Sequence, residues 1–321
     1  MAAQRILISD EVADSCAAIL KARGFEVEYR PGLPADQLRE KISDCDGLIV
    51  RSATKVTAEV IGLGKKLQVI GRAGAGVDNI DVNTATQQGI AVFNAAAANT
   101  LSAVEHTLAL MLALARQIPR AHLSMLNGKW ERNAFMGVEL FGKTLGLIGL
   151  GKIGREVAAR AQAFGMHVLA YDPLIPDEAF QRAGVTQSSL TELVRKGDFI
   201  SIHVPLTRET KNLMGVEQFN ICKRNVRIIN TSRGGVIDEN ALAQALKDGR
   251  VAGAALDVFE KEPPGNNSLI GLPNVIATPH LGASTVEAQR RVAEEIAQLV
   301  VDFLLYKKVE NIVNPEVLNK I

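Results

Sequence analysis

The stretch Leu147-Ile-Gly149-Leu-Gly151-Lys-Ile-Gly154 decides the fold. It follows an apolar run typical of a buried strand and leads into a segment with helical spacing, and Asp172 lies 23 residues after Gly149, at the end of the next predicted strand. Glycines in this pattern let the backbone approach a pyrophosphate at a helix N-terminus, and the acid accepts hydrogen bonds from an adenosine ribose. The glycines alone also occur in ordinary strand-to-helix turns, but with the acid they predict a dinucleotide-binding βαβ unit.

Asp172 also predicts which dinucleotide binds. A carboxylate at this position repels the 2′-phosphate of NADP, and the next residues, Pro173-Leu-Ile-Pro176, supply no Arg or Lys to hold that phosphate. NAD is therefore the predicted cofactor.

Outward from this motif, short runs rich in Ile, Val and Leu alternate with helix-spaced segments, which is the pattern of parallel sheets covered by helices. Before the motif, strands are predicted at 5–9, 26–29, 47–51, 69–71 and 91–94, with helices between them such as 11–21. From the motif onward, strands are predicted at 144–148, 167–171, 199–204, 226–230, 253–256 and 275–278. The predicted fold class is α/β, with two Rossmann-like domains that each contain a parallel sheet.

Two capping boxes predict helix starts: Ser102-Ala-Val-Glu105 begins an apolar helix to about residue 116, and Ser284-Thr-Val-Glu287 begins one to about residue 306. The segment 117–142, which carries the only tryptophan, has little periodicity and is predicted to be an arm on a partner subunit or a surface loop. Residues 309–315 are predicted to add a strand to the first unit. We therefore predict a substrate-binding domain from residues 1–96 and 285–321, into which an NAD-binding domain, residues 97–284, is inserted.

Composition argues against several classes of function. The chain has 321 residues, 36 of them basic and 35 acidic, so a net charge of +1 provides no polybasic surface for nucleic acid or anionic lipid. The apolar run 108–115 is far shorter than the roughly 20 residues of a membrane helix, and the N-terminus lacks a signal-peptide pattern. The cysteines form no C-x-x-C pair and the histidines show no metal-binding spacing, so no disulfide framework and no metal site are predicted. We predict a cytoplasmic protein.

Three further segments place reactive side chains at the carboxyl ends of predicted strands. Asn230-Thr-Ser-Arg233 provides a guanidinium suited to gripping a carboxylate, Asp257-Val-Phe-Glu260-Lys-Glu262 provides acids, and Thr278-Pro-His280 provides a histidine. Each of these residues taken alone is more often structural. Ligands of open α/β sheets bind at the carboxyl edge, so the three segments together predict a catalytic site.

With these motifs, the chain resembles the D-isomer-specific 2-hydroxyacid dehydrogenases over essentially its whole length. Besides the glycine motif, the matching segments are Gly47-Leu-Ile-Val-Arg51-Ser-Ala-Thr-Lys55-Val-Thr, Gly71-Arg72-Ala-Gly-Ala-Gly76-Val-Asp-Asn79, Thr231-Ser-Arg233-Gly, Glu262-Pro-Pro and Pro279-His280-Leu-Gly-Ala-Ser284. The resemblance implies that Arg233 holds the substrate carboxylate and carbonyl oxygen. It also implies that His280 exchanges the hydroxyl proton and that Glu262 hydrogen-bonds His280.

The resemblance implies the other ligand contacts as well. The implied cofactor-binding residues are Ala75, Gly149, Gly151, Lys152, Ile153, Gly154, Asp172, Val204, Thr231, Ser232, Asp257, Gly282 and Ala283. The implied substrate-binding residues are Arg51, Ser52, Lys55, Arg72, Gly76 and Arg132, the last contributed by the partner subunit of a homodimer or higher homo-oligomer. Ala75 and Val204 are apolar where some relatives carry threonine, so backbone contacts are expected there.

The substrate-binding segments of the first unit favour a phosphorylated substrate. A phosphomonoester carries nearly two negative charges and needs a cluster of cations and hydrogen-bond donors, which here is Arg51, Ser52, Lys55 and Arg72. A plain 2-hydroxy acid needs no such cluster. The predicted reaction is NAD-dependent oxidation of D-3-phosphoglycerate to 3-phosphohydroxypyruvate, which by analogy with the family belongs to L-serine biosynthesis. Two alternatives stay open: a reductase of glyoxylate, hydroxypyruvate or another D-2-hydroxyacid, and an NAD-sensing corepressor on the same scaffold.

Overall fold

The structure, a computed structural model, describes residues 3–320. The described chain separates into two compact units: unit 1 contains residues 3–100 and 283–320, and unit 2 contains residues 101–282. Each unit is built on a sheet in which every neighbouring pair of strands is parallel. The predicted α/β fold class is confirmed.

The first part of unit 1 alternates strands and helices. In chain order these are β1 (Arg5–Ile8), α1 (Asp14–Ala22), β2 (Glu26–Tyr29), α2 (Ala35–Lys41), β3 (Gly47–Val50), α3 (Ala58–Leu63), β4 (Val69–Arg72), α4 (Val82–Gln87) and β5 (Ala91–Asn94). The sheet order is β2-β1-β3-β4-β5, so the direction of strand addition reverses between β1 and β3. Every residue of β3 is buried, as expected for a strand with both faces covered.

Unit 2 has a larger sheet preceded by two helices. Its elements are α5 (Thr100–Ala115, whose first residue belongs to unit 1), α6 (Ile118–Leu126), β6 (Thr144–Ile148), α7 (Lys152–Ala163), β7 (His167–Tyr171), α8 (Asp177–Arg182), β8 (Thr186–Gln187), α9 (Leu190–Lys196), β9 (Phe199–Ile202), α10 (Val216–Ile221), β10 (Arg227–Asn230), α11 (Glu239–Lys247), β11 (Gly253–Leu256) and β12 (Val275–Ala277). The sheet order is β12-β11-β10-β9-β6-β7-β8. Strand addition reverses between β6 and β9, as in dinucleotide-binding sheets, where ligands bind at this switch point.

The chain then returns to unit 1 as α12 (Val286–Tyr306). Its apolar face, which includes Val292, Ile296 and Val300, is buried as predicted. A Cβ added at Gly71 of β4 would lie 2.9 Å from Cγ1 of Ile296, so the helix packs directly on the sheet of unit 1. The final helix therefore completes the core of the unit that the chain formed first.

Residues 309–315 do not form the predicted strand. Ile312 makes one isolated antiparallel bridge to Phe93, and the backbone N of Val313 donates to the carbonyl oxygen of Val92 at 2.8 Å. Pro315 then begins a 3₁₀ turn, and a proline has no N–H to continue a ladder. The tail contacts β5 of unit 1, but as a single bridge instead of a strand.

Two predicted helix starts were wrong and one helix was missed. Because α5 begins at Thr100, Ser102 lies inside the helix and is not its N-cap. The N-cap of α12 is Thr285, whose hydroxyl accepts from the backbone N of Ala288 at 3.1 Å, so the start predicted at Ser284 was one residue early. The helix α6 lies in the segment 117–142, where several of its apolar side chains are exposed.

Within residues 3–320, no helix combines the length and apolarity needed to cross a lipid bilayer. The three cysteines are free thiols. Burial raises the pKa of Cys16 to about 12 and that of Cys45 to about 11, so both are unreactive fillers of unit 1.

Candidate active site

The glycine motif forms the turn between β6 and α7. Gly149 has a φ of 93°, in the left-handed region that favours glycine. A Cβ at Gly149 would lie 2.5 Å from the carbonyl oxygen of His203, and one at Gly154 would lie 2.2 Å from the carbonyl oxygen of Gly149. At Gly151, by contrast, a Cβ would have no heavy atom within 4 Å. The turn is packed tightly on one side and open where α7 begins.

Asp172 directly follows β7 and holds two pieces of backbone. Its Oδ2 accepts from the N of Leu150 at 2.9 Å, and its Oδ1 accepts from the N of Leu174 at 3.1 Å. The carboxylate thus links the end of β7 to the glycine turn. Each oxygen keeps a further lone pair that can accept from a ribose hydroxyl.

The loop after β10 is built around the buried side chain of Asn230. Its Oδ1 accepts from the N and Oγ of Ser232 at 3.0 and 2.8 Å, and its Nδ2 donates to the carbonyl oxygen of Arg233 at 2.9 Å. Nη1 of Arg233 donates to the carbonyl oxygen of Ser232 at 2.7 Å. A Cβ at Gly234 would lie 1.9 Å from the carbonyl oxygen of Phe259, so a glycine is required where this loop meets the loop after β11.

Thr231 in the same loop contacts Thr107 of α5, with 2.7 Å between the two hydroxyl oxygens. The hydroxyl of Thr107 donates to the carbonyl oxygen of Ala103 at 2.7 Å. A hydroxyl has one proton, so Thr231 is the donor to Thr107. The oxygen of Thr231 therefore keeps acceptor capacity for a ligand.

His280 and Glu262 form a hydrogen-bonded pair. Nδ1 of His280 lies 2.7 Å from Oε2 of Glu262, and the two side chains are 49% and 38% exposed. Oε1 of Glu262 accepts from the N of Phe259 at 3.2 Å. With Nδ1 directed to the carboxylate, Nε2 of His280 is the ring nitrogen that can exchange a proton with a ligand.

Asp257 fixes the segment that carries His280. The side chain of Asp257 is fully buried; its Oδ1 accepts from the N of Leu281 at 2.7 Å, and its Oδ2 accepts from the N of Gly282 at 2.8 Å. Its carbonyl oxygen accepts from the N of His280 at 2.9 Å. His280 itself has a φ of 56°, a conformation that a residue other than glycine adopts rarely without such support.

His106 of α5 and Thr278 complete the surroundings of Asp257. Nε2 of His106 lies 3.1 Å from Oδ1 of Asp257, and the hydroxyl of Thr278 donates to the same oxygen at 2.5 Å. Burial alone would raise the pKa of Asp257, but hydrogen bonds from His106, Thr278 and the N of Leu281 outweigh it and hold the pKa below its usual range. The carboxylate is therefore ionised and firmly held at neutral pH.

In unit 1, Arg51 and Ser52 lie in the loop after β3. The buried carboxylate of Asp10 accepts from the N of Arg51 at 2.6 Å and from the N and Oγ1 of Thr54 at 3.1 and 2.6 Å. From the other side, Nδ2 of Asn79 donates to the carbonyl oxygens of Arg51 and Thr54 at 2.9 and 2.7 Å. The backbone of the loop is thereby fixed by two side chains from outside it.

Arg72 ends β4, and its guanidinium lies against the turn that follows. A Cβ at Gly74 would lie 1.6 Å from Nη1 of Arg72. The carbonyl oxygen of Ala75 accepts a hydrogen bond from Nδ2 of Asn94, and Gly76 is partly buried in the same turn. The structure thus places the guanidinium of Arg72 against the turn of unit 1 that contains Ala75 and Gly76.

Several predicted site residues are not part of these networks. Ser52, Lys55 and Lys152 are exposed. Arg132 is also exposed, in the 3₁₀ turn Arg132–Phe135, and forms no hydrogen bond or ion pair with any residue from 3 to 320. The ligand contacts assigned to these residues stay predictions, as do the roles of the other site residues.

Asp10, Asn79 and His106 were missed as contributors to the site. Asp10 could have been found as a polar residue just after a buried strand, and Asn79 as a polar residue inside a quoted motif. His106 gave no such signal, because its partner Asp257 lies 151 residues further along the chain. Such a pairing is visible only in three dimensions.

The glycine turn fits the pyrophosphate of a dinucleotide. There is no room for side chains at Gly149 and Gly154, whereas the space at Gly151 is open beside the N–H groups of the first turn of α7. His203, beside Gly149, adds no charge because burial lowers its pKa to about 4. In the part of the chain from 3 to 320, no three His, Cys, Asp or Glu side chains form a group that could hold a metal ion.

Comparisons with known proteins agree with this architecture. Residues 108–282 match the family model described as D-isomer specific 2-hydroxyacid dehydrogenase, NAD binding domain. The chain is 51% identical over 315 residues to the D-3-phosphoglycerate dehydrogenase of Rattus norvegicus, covering 98% of this chain and 59% of that protein. It therefore spans about three-fifths of the length of the curated relatives it matches.

Two solved structures are similar over almost the whole chain. The TT0316 protein from Thermus thermophilus has a TM-score of 0.88 and 34% identity, covering 97% of this chain and 100% of that one. The D-lactate dehydrogenase from Aquifex aeolicus, complexed with NAD and lactic acid, has a TM-score of 0.85 and 28% identity, covering 97% and 99%.

The chain belongs to the D-isomer specific 2-hydroxyacid dehydrogenase family, which confirms the predicted family. Its unit 2 contains that family's NAD-binding domain, so the predicted cofactor is confirmed at the level of the family.

Proposed function

We propose that this chain catalyses the NAD-dependent oxidation of D-3-phosphoglycerate to 3-phosphohydroxypyruvate, a step of L-serine biosynthesis. The observation that carries the proposal is the His280–Glu262 pair, with 2.7 Å between Nδ1 and Oε2, at the carboxyl edge of the sheet in unit 2. The substrate is taken from the relative of Rattus norvegicus, a D-3-phosphoglycerate dehydrogenase at 51% identity.

In the proposed reaction, His280 is the general base. Its Nε2 takes the proton of the substrate 2-hydroxyl, while Glu262 accepts from Nδ1 and so keeps the tautomer in which Nε2 is unprotonated. The carboxylate then stabilises the imidazolium that forms. In the reverse direction the same Nε2 returns the proton.

Arg233 is proposed to bind the substrate carboxylate and the oxygen on which negative charge develops. Its guanidinium stays protonated at every relevant pH and can form paired hydrogen bonds to a carboxylate. The hydrogen bonds of Asn230 hold the loop from which Arg233 projects, so the cation is positioned before the substrate arrives.

When bound, NAD accepts the hydride that leaves the substrate. Gly149, Gly151, Lys152, Ile153 and Gly154 are proposed to hold its pyrophosphate, and Asp172 its adenosine ribose. Asp257 is proposed to face the nicotinamide carboxamide, and the other residues proposed to line the cofactor are Val204, Thr231, Ser232, Gly282 and Ala283. In unit 1, Ala75 is proposed as a backbone contact to the cofactor.

Unit 1 is proposed to be the substrate-binding domain. Its proposed contacts to the phosphorylated end of the substrate are Arg51, Ser52, Lys55, Arg72 and Gly76. Three of the five are cations, which suits an anion of nearly two charges. Arg132, exposed on unit 2, is proposed to reach the substrate of a partner subunit.

Steady-state kinetics on the full chain test this function. NADH formation is followed with D-3-phosphoglycerate, D-glycerate and D-lactate, and NADH consumption with glyoxylate and hydroxypyruvate. We expect kcat/KM for D-3-phosphoglycerate to exceed that for D-glycerate by about 100-fold or more, because D-glycerate lacks the phosphate whose charges would pair with the cations of unit 1. A higher kcat/KM with glyoxylate or hydroxypyruvate would favour the reductase, and no turnover with any acid would favour the corepressor.

A homodimer is proposed from a band of exposed apolar residues in unit 2. The side chains of Leu126, Trp130 and Met136 are 70%, 76% and 81% exposed, on α6 and the segment after it. Surfaces of this kind usually become buried against another protein, and a second copy is the commonest partner. Sedimentation of a monomer at micromolar concentration would contradict the dimer.

A cytoplasmic location is also proposed. It is supported by the three cysteines, which are free thiols and so suit a reducing compartment. Cell fractionation with an antibody to the full protein is the test.

A further inference from the structure

The helix α5 lies along β11, and its first half reaches the carboxyl edge of the sheet in unit 2. A Cβ added at Gly253, the first residue of β11, would lie 3.0 Å from Cδ1 of Leu114. Just past the other end of the strand, Nε2 of His106 lies 3.1 Å from Oδ1 of Asp257. The steps from His106 to Leu114 and from Gly253 to Asp257 both span about 12–13 Å, so the helix and the strand run side by side in opposite directions. The part of α5 around His106 therefore lies at the edge where the ligands of such sheets bind.

The proton between His106 and its two partners can be assigned. Nε2 of His106 lies within hydrogen-bonding distance of two oxygens, 3.1 Å from Oδ1 of Asp257 and 3.2 Å from Oγ1 of Thr278. The carboxylate has no proton to give, and the single hydroxyl proton of Thr278 is donated to Asp257 at 2.5 Å. Both oxygens are therefore acceptors toward His106, and Nε2 must carry a proton.

His106 ties the carboxylate of Asp257 to a part of unit 2 outside the segment that this carboxylate holds. The carboxylate accepts from the backbone N of Leu281 and of Gly282, which directly follow His280. His106 belongs instead to α5, a helix of 16 residues. Because the side chain of Asp257 is fully buried, water cannot replace a donor that is removed. The hydrogen bond from His106 therefore fixes the carboxylate relative to the helix that packs on the sheet.

Thr107, the next residue of α5, contacts a different loop. The strand β10 lies beside β11 in the sheet, and the loop after β10 carries Thr231. The hydroxyl of Thr231 donates to the buried hydroxyl of Thr107 at 2.7 Å. Since the proton of Thr231 is engaged in this way, its oxygen can only accept from a ligand. A nicotinamide dinucleotide has suitable donors in its amide NH₂ and its ribose hydroxyls.

We propose that His106 and Thr107 of α5 are positioning residues for the site. His106 acts through Asp257 on the segment that carries the proposed base, His280. Thr107 acts through Thr231 on the cofactor. The inference rests on the proposed function and adds two residues to which no contact with substrate or cofactor is assigned. Because the two residues act on separate loops, loss of the first slows proton transfer, whereas loss of the second weakens cofactor binding.

The test of His106 compares His106→Leu, which removes the donor, with His106→Gln, whose amide NH₂ can take the place of the Nε2 proton. With the full chain, D-3-phosphoglycerate and NAD, we expect His106→Leu to lower kcat about tenfold, since a hydrogen bond to a charged group is lost. His106→Gln should recover most of that loss, and the NADH Kd from fluorescence titration should change less than kcat. Independently of turnover, ¹⁵N NMR of the histidine-labelled chain should show a proton on Nε2 of His106, whose signal is assigned by its absence from His106→Gln.

The test of Thr107 compares Thr107→Val, which replaces the hydroxyl by a methyl group, with Thr107→Ser, which keeps the hydroxyl. Without its acceptor, the hydroxyl proton of Thr231 can turn toward the donor of the cofactor. We expect Thr107→Val to raise the Kd of NADH about fivefold with a smaller change in kcat at saturating NAD, and Thr107→Ser to stay closer to wild type. In a Thr231→Val background, Thr107→Val should raise the Kd by less than about twofold, because the hydroxyl through which it acts is gone.

The matched controls are His167→Leu and Thr191→Val, at exposed positions of β7 and α9 in unit 2, which should leave kcat and Kd unchanged. Thermal melting of each variant confirms that it is folded. The inference is wrong, and the proposed function stands, if His106→Leu keeps its kcat, if His106→Gln loses as much activity as His106→Leu, if His106 carries its ring proton on Nδ1 alone, or if Thr107→Val leaves the NADH Kd unchanged. If the wild-type chain turned over none of the candidate acids, the proposed function would be wrong, and the NADH Kd values and the ring proton of His106 would still decide the inference.

Discussion

Nδ1 of His280 lies 2.7 Å from Oε2 of Glu262, although the two residues are on different loops of unit 2. Each partner is held by further bonds: Glu262 accepts from the N of Phe259, and the carbonyl oxygen of Asp257 accepts from the N of His280. The orientation of the imidazole is therefore set by the protein. This arrangement leaves Nε2 as the ring nitrogen that can exchange a proton with a ligand.

The variant His280→Ala should lose most of the activity and keep the cofactor site. We expect kcat to fall by about 1,000-fold, because a positioned general base contributes roughly 10²–10⁴. Glu262→Gln should cost less, about 10- to 100-fold, since the imidazole stays but its orientation is no longer set by a carboxylate. Steady-state kinetics give kcat, and fluorescence titration should show an NADH Kd within about twofold of wild type.

The control for these two variants is His167→Ala, an exposed histidine at the start of β7. It should leave kcat unchanged. A loss smaller than about tenfold in His280→Ala would contradict the role of His280 as the base.

Asp257→Asn should lower both stability and activity. The amide offers one acceptor oxygen where the carboxylate serves Leu281, Gly282 and Thr278, so a backbone N–H loses its partner. We expect a loss of about 2–3 kcal/mol in the free energy of unfolding at pH 7, measured by urea denaturation. The kcat should also fall, because the segment that carries His280 loses its support.

The stabilisation by Asp257 should depend on pH in a defined direction. Its pKa in the folded protein lies below its usual value, so the stabilisation is fully present above the unfolded pKa, about 4, and is lost as pH falls through the folded pKa. The difference in unfolding free energy between wild type and Asp257→Asn should be constant from pH 7 to about pH 5 and shrink at lower pH. Asp36→Asn, at an exposed position on α2, should give a difference below about 0.5 kcal/mol.

Gly234→Ala should destabilise the protein strongly. The added Cβ would lie 1.9 Å from the carbonyl oxygen of Phe259, so the loops after β10 and β11 must separate. We expect a loss of about 3 kcal/mol or more by urea denaturation, or insoluble protein. Gly62→Ala, at an exposed position of α3 where the nearest atom is 3.8 Å away, should instead stabilise by up to about 1 kcal/mol. Equal effects of the two variants would show that the close approach at Gly234 is unimportant.

The fold could be predicted from the sequence where burial imposes a pattern. Strands such as β3, β6 and β11 are covered on both faces and have apolar sequences, so their existence and their positions along the chain were predicted. The elements that were missed are mostly exposed. Both residues of β8 are exposed, and so are most of the apolar side chains of α6. The hydrophobic pattern of a sequence reflects burial in the core. It therefore cannot predict a helix or strand whose side chains are mostly exposed.

For the candidate site, the sequence predicted the candidate catalytic residues but not the residues that hold them in place. Arg233, Glu262 and His280 follow predicted strands and were found by that position. The partners that hold the loops, such as Asp10 and His106, contact residues more than 40 positions away, and no spacing rule links them. Distances such as the 2.7 Å of the His280–Glu262 pair depend on how the loops pack, so they come only from the structure.

Asp172→Asn should weaken NAD binding and reduce discrimination against NADP. In the native protein the two carboxylate oxygens accept hydrogen bonds from the backbone N of Leu150 and of Leu174. In the variant an amide NH₂ replaces one of these oxygens and faces a backbone N–H, so one of the hydrogen bonds is lost and the glycine turn is held less firmly. The negative charge that repels a 2′-phosphate is removed as well. We expect the Kd of NADH to rise about tenfold and the Kd of NADPH to change less. The ratio of the NADPH Kd to the NADH Kd should therefore shrink by a similar factor, measured by fluorescence titration.

Asp177→Asn, on α8 five residues away, should leave both values unchanged. If the ratio in Asp172→Asn stayed at the wild-type value, Asp172 would only support the turn, and selectivity for NAD would have to arise elsewhere in unit 2.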